Sequence, residues 1–259
     1  MRNILLMFSG KDCRNGTTER AFADELSRLK RRGASVLVTG VVQADQRQVI
    51  ARRLLGTAPE EIRKRIVIST PGTEFDIDRL VDDVDSGNAE IVSYQGTARS
   101  VSAETAGTAG TTETAKTTEA AGTKTPSTPS TPGAKAPVTT AETLGDVGIA
   151  VSSAIERFER NGDLEPGVLR VGIDSLVPFL EEYGREAVFQ YLHLLNGRTR
   201  AAGGIAHYHL PIERDSSTVS ILTPLFDVVV ELRERNGIVQ ERWSLTESDL
   251  STGWVPITQ

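Results

Sequence analysis

Short apolar runs alternate with amphipathic segments along most of the chain, and that alternation restricts the fold more than any other feature. Residues 34–42 (ASVLVTGVV), 64–69 (KRIVIS), 168–173 (VLRVGI) and 204–209 (GIAHYH) have the length and apolar character of buried strands. Residues 90–94 form a further short candidate. Residues 17–32 (TTERAFADELSRLKRR), 45–55 (DQRQVIARRLL), 144–160, 175–182, 186–202 and 217–225 read as helices. Asp45 is the expected N-cap of the second of these. Strands separated by helices predict an α/β domain whose sheet is mainly parallel and flanked by helices. Residues 226–234 and 238–245 are joined by Asn236-Gly237, a favoured type I′ dipeptide, and predict a C-terminal antiparallel hairpin.

The alternation stops between residues 96 and 142, which are rich in Thr, Ala, Gly, Ser and Pro and hold no aromatic residue. TPSTPSTPG at 125–133 is the extreme. Such composition cannot bury enough apolar surface to offset the entropy of ordering, so the expectation is a disordered linker. Neither flank has enough strands to close a sheet alone. Residues 1–95 and 143–259 are therefore read as two parts of one domain, with 96–142 as an insert between them.

The net charge of −6 argues against non-specific nucleic-acid binding. Basic clusters at 28–32 and 63–65 lie among acidic neighbours and read as solvated faces. Cys13 is the sole cysteine, which excludes an intrachain disulfide and a cysteine-based zinc site. No run reaches the ~18 apolar residues of a membrane span. Residues 4–8 are too short for a signal-peptide core, so a cytoplasmic location is expected.

Residues 3–8 (NILLMF) read as a strand, 9–16 (SGKDCRNG) as a polar turn and 17–32 as a helix. This is the setting of a phosphate-binding loop, G-x-x-x-x-G-K-[ST]. With Gly16 on the second glycine, Thr17 replaces the lysine and Thr18 keeps the hydroxyl that would touch Mg²⁺. Gly10 falls one place early and Lys11 occupies the first-glycine position. The loop is degenerate, and nucleotide binding there would rest on Gly10, Lys11, Gly16, Thr17 and Thr18. Asp174 ends the apolar run at 168–173 and has two readings: a Mg²⁺-holding carboxylate or the cap of the following helix. His207 and His209 share one strand face; with His193 they could meet at a metal, but histidines bonded to backbone are the plainer expectation. Trp243 and Trp254 are expected to cover the sheet edge.

Residues 169–180 (LRVGIDSLVPFL), 193–210 (HLLNGRTRAAGGIAHYHL) and 217–243 resemble the second half of the RecA/KaiC-type ATPase core. The resemblance is greatest to a haloarchaeal group of KaiC-like proteins that lack a good phosphate loop. It implies a RecA-like sheet, a degenerate loop after the first strand, Asp174 at the metal-carboxylate position and His209 near a γ-phosphate sensor. Active relatives carry a Glu-Glu pair after the second strand; aligning residues 36–39 on that strand puts Val41-Val42 there. The resemblance therefore implies a non-catalytic regulatory or scaffolding module with a protein partner or self-association, retaining at most weak ATP/Mg binding. Two alternatives stand beside it: a slow ATPase using Lys11, Thr18 and Asp174, and an accessory of DNA recombination.

Overall fold

The computed structural model describes residues 16–56, 62–73, 75–77, 80, 86–96, 136–162 and 164–257. The candidate strand at 3–8, Gly10, Lys11 and Cys13 lie outside the described residues, as does most of the insert, 97–135.

Among the described residues nine strands form one sheet. In chain order they are β1 Ala34–Thr39, β2 Lys64–Ser69, β3 Ala89–Tyr94, β4 Val138–Ala141, β5 Leu169–Ile173, β6 Ile205–Leu210, β7 Val228–Arg235, β8 Ile238–Leu245 and β9 Val255–Pro256. Across the sheet the order is β4-β3-β2-β5-β6-β1-β7-β8-β9. From β4 to β7 all pairs are parallel; β7, β8 and β9 pair antiparallel. The β7–β8 turn has Asn236 at φ 54° and Gly237 at φ 74°, the left-handed pair that a type I′ turn needs.

Among the described residues five α-helices cover the sheet: α1 Gly16–Arg32, α2 Ala44–Leu55, α3 Leu144–Arg160, α4 Val177–Ala201 and α5 Ser217–Leu222. Strand alternation separates two cores. Val36 and Val38 of β1 pack with Phe22 and Leu26 of α1 and Ile50 and Leu54 of α2. Leu37 joins the opposite core with Val151 and Ile155 of α3 and Leu192 of α4. Both faces are thus covered, which is why β1, β5 and β6 are buried at every residue.

Two sequence expectations change. The expected insert ends too late: Val138–Ala141 (VTTA) is β4, paired with β3. Its β-branched residues suit an edge strand, and α3 follows at once with Thr143 as N-cap. The two helices expected at 175–182 and 186–202 are both present as the two halves of α4, which meet at the non-helical Gly184 (φ 74°, ψ 173°). The N-cap of α2 is Gln43, not Asp45, which lies in the first turn.

The chain leaves β1 along the α2 face and skips two sheet positions to reach β2. It moves outward to β4, then returns on the other face through α3, α4 and α5 to place β5, β6 and β7. The segment after β2, with Phe75 and Leu80, also lies on the α2 side. Adjacent strands β1/β6 and β2/β5 therefore send their connections to opposite faces. In open α/β sheets such switch points, at the C-terminal ends of the strands, are where ligands bind.

Candidate functional site

Asp174 follows β5 at the β2/β5 switch point and is only 3% exposed. The Thr70 backbone N–H donates to both of its carboxylate oxygens, at 3.0 and 3.1 Å. The Thr70 hydroxyl donates to Oδ1 at 2.7 Å and the Thr73 hydroxyl to Oδ2 at 2.6 Å. Burial pushes the carboxyl up to about 6, against the opposing effect of these hydrogen bonds. Asp174 thereby ties the segment after β2 to the tip of β5. It is not the cap of α4; the Ser175 hydroxyl accepts from the Val177 N–H at 3.2 Å instead.

The β1/β6 switch point is bridged in a similar way. The Gly40 N–H and the Thr39 hydroxyl both donate to the Ile212 carbonyl, at 2.9 and 2.7 Å. Gly40 has φ 115°, and a Cβ on it would sit 2.0 Å from the Leu232 carbonyl oxygen, so only glycine fits. Residues 40–43 alone separate β1 from α2. Asp45, in the first turn, accepts from the Gln46 N–H at 2.8 Å and sets its negative charge at the positive end of the helix. The Arg47 guanidinium folds back to donate to the Val42 carbonyl at 2.7 Å and lies 5.8 Å from the Phe75 ring centre.

Between these two points sit His207 and His209, 2% and 0% exposed. Neither ring nitrogen of His209, nor Nδ1 of His207, has a hydrogen-bond partner among the described residues. Phe75 meets His209 edge-on at 5.3 Å, and the two imidazoles are edge-on at 5.5 Å. The His207 ring lies against Gly172, where a Cβ would come within 2.5 Å of it. Burial, then the charge of Arg170, pushes His207 down to about 3. Burial, then His207 and Arg47, pushes His209 well below its usual value. Both are neutral imidazoles. The gap they line, with Asp174, Gly172, Phe75 and Leu80, has room for about one water centre, 10 Å³.

Residues 33–232 match DUF7504, a family of unknown function. The chain belongs to that family. No curated protein matches it. The DUF7504 match runs from the residue before β1 into β7, so it takes in Gly40, Asp174 and His209 and leaves out residues 1–32. Of the site residues expected from sequence, Asp174 and His209 come together in the DUF7504 core. Gly10 and Lys11 lie outside the described residues. Gly16, Thr17 and Thr18 open α1, with their side chains also outside the description. His193 is exposed on α4 and does not join the buried pair. Among the described residues no group of three or more His, Cys, Asp or Glu could hold a metal ion. No helix of the described residues is long and apolar enough to cross a membrane.

Sequence reading missed Gly40, Arg47, Thr70, Thr73 and Arg170. Gly40 carried a signal, since a glycine inside a strand pattern marks a bulge or a close backbone approach. The two threonines carried none, because only the β2–β5 pairing places them against Asp174. The basic cluster at 63–65 is also corrected. Arg65 is 6% exposed, not solvated, because it stands mid-face in a sheet covered by α2.

Proposed function

We propose that the chain is a degenerate RecA/KaiC-like module that works through protein contacts, as a regulator or scaffold, and does not turn over ATP. The observation that carries this reading is the β1–α2 junction. It has the strand–loop–helix form of a phosphate loop, and it begins with a glycine at a switch point. Counted from Gly40, the Gly-Lys-[Ser/Thr] positions hold Asp45, Gln46 and Arg47. A helix N-terminus attracts phosphate through free N–H groups and its dipole. Here a carboxylate already accepts from the Gln46 N–H. Phosphoryl transfer depends on positioning and charge stabilisation, and the junction supplies neither the lysine nor an open cradle.

The Asp174 oxygens accept three donors from Thr70 and Thr73, so a Mg²⁺ at Asp174 would have to displace them. On this reading a haloarchaeal, cytoplasmic setting accounts for the acidic, lysine-poor composition. Titration calorimetry with Mg·ATP at high salt tests the proposal. No binding heat at ~1 mM ATP, above the usual range of KM values, is the expected result. Phosphate release above background, abolished by Lys11→Ala or Asp174→Asn, would overturn it in favour of a slow ATPase.

A further inference from the structure

His207 and His209 leave β6 in register with Val36 and Val38 of β1, on the face that α2 covers. His207 is hydrogen-bonded to the Val171 backbone. Its Nδ1 has no partner among the described residues, so that bond uses Nε2. The bond made by one ring nitrogen fixes the role of the other. A backbone carbonyl accepts, which puts the proton on Nε2 and leaves Nδ1 a free lone pair. His209 has no partner at either nitrogen, so whichever one carries its proton, the other is a second free lone pair. Burial keeps both rings unprotonated at neutral pH, the state that binds a metal.

Both rings line one gap of 10 Å³, room for about one small atom. Gly172 keeps its floor open, since a Cβ there would come within 2.5 Å of the His207 ring. The ring centres are 5.5 Å apart. A nitrogen–metal bond of about 2.0 Å plus about 1.1 Å from nitrogen to ring centre sets each ring about 3 Å from a shared ion, so two rings on one ion stand up to about 6 Å apart. The observed separation is within that reach.

Charge selects the ion. Asp174 lines the same gap, and its donors, from Thr70 and Thr73, carry no charge. A cation in the gap would balance this buried carboxylate. Arg170 acts on His207 and Arg47 on His209 from outside the gap. A divalent ion would therefore meet two positive charges against one negative. Zn²⁺ also seeks four donors, and Mg²⁺ and Ca²⁺ seek oxygen. A monovalent d¹⁰ ion is content with two imidazole nitrogens.

We propose that His207 and His209 bind one soft monovalent cation, of the Cu(I) class, through a ring nitrogen of each, with Asp174 as the balancing charge and not a ligand. The site goes beyond the proposed function and does not rest on it, because neither ATP nor the degenerate phosphate loop enters it.

The test is transfer of Cu(I) from its coloured bicinchoninate complex, without oxygen and with reductant, to the Cys13→Ser protein. That substitution removes the one thiol that would compete. Overnight incubation lets the closed gap load by local opening. One equivalent of Cu(I) should leave the chelator. His207→Gln and His209→Gln should each weaken uptake by about a hundredfold or more. His193→Gln, exposed on α4, should not change it. X-ray absorption of the loaded protein should show nitrogen neighbours from two imidazoles and no sulfur, and it decides alone if the histidine variants fail to fold. No uptake, equal uptake in all variants, or a sulfur shell from Met1 or Met7 overturns the site. Zn²⁺ is the second titrant, and weaker uptake is expected because half its shell stays unfilled. Uptake of Zn²⁺ tighter than that of Cu(I), lost in the same two variants, overturns the choice of ion.

Discussion

Asp174 holds a buried charge whose ionisation is coupled to folding. In the folded chain its carboxyl titrates near 6, against 3.8 for an unperturbed carboxylate. The folded state therefore binds the proton more tightly than the unfolded state. This group's contribution to stability is fully present below about pH 4 and is lost as pH rises through about 6. The gap corresponds to ~3 kcal/mol. Asp174→Asn cannot titrate. Urea unfolding between pH 7 and pH 4 should show the wild type gaining up to ~3 kcal/mol on the variant as pH falls. Parallel curves for the two proteins would mean that Thr70 and Thr73 hold the carboxylate ionised more firmly than burial opposes it. His207 and His209 stay neutral in the fold while their unfolded forms take up protons near 6.5, so they lower the stability of both proteins alike as pH falls and cancel in the comparison.

Two junctions set where the helices begin. At α3, the Thr143 hydroxyl accepts from the Asp146 N–H at 3.1 Å, and Asp146 accepts in return from the Thr143 N–H at 3.0 Å. This capping box starts the helix directly after β4. Thr143→Ala should cost about 1 kcal/mol in urea unfolding. A change within ~0.3 kcal/mol would mean that β4 and the buried face of α3 fix this start without the cap. At the β1–α2 junction the constraint is steric. Gly40→Ala forces a Cβ into the Leu232 carbonyl at a positive φ, and a loss of at least ~3 kcal/mol is expected. Thermal melts distinguish this from Gly72→Ala, where φ is 75° but a Cβ meets nothing within 4 Å. The Gly72 change should cost only ~1 kcal/mol.

At the scale of the molecule, β3 and β4 are adjacent parallel strands, so the chain between them must cross back along the sheet. Such a crossover needs about a dozen residues. Residues 97–135 have the composition of a segment with no core of its own. Replacing them with a Gly/Ser linker of about fifteen residues should leave the thermal midpoint within ~3 °C, since loop-closure cost varies slowly with length. Extending the deletion to residue 142 removes β4 and should lower the midpoint distinctly. Equal midpoints for the two deletions would show that β4 adds nothing to the sheet. The edges at β4 and β9 end the sheet with short strands, and the Arg233 and Arg242 guanidinium groups lie 3.7 and 4.8 Å from the Trp254 ring centre beside β9. Trp243 is buried beneath the same edge, at 1% exposure.

The sequence by itself determined the alternation of strands and helices, the parallel sheet, the hairpin at Asn236-Gly237 and the α3 helix. These follow from apolar periodicity and turn chemistry, which act over a few residues. It also singled out Asp174 and His209, because each stands at or near the end of an apolar strand. Strand order was decided only by the tertiary structure. It puts residues 34–39 between β6 and β7 and so makes Gly40 a switch-point residue. The partners of Asp174 depend on a pairing about a hundred residues apart in the chain, which no local pattern encodes. The same holds for Arg65 and Arg170. Arg65 belongs to a basic cluster that reads along the chain as a solvated face; placed on paired strands under α2, it is buried whatever its charge. Local physics chooses the elements, and the packing of distant elements chooses which polar groups leave water and which partners they find there.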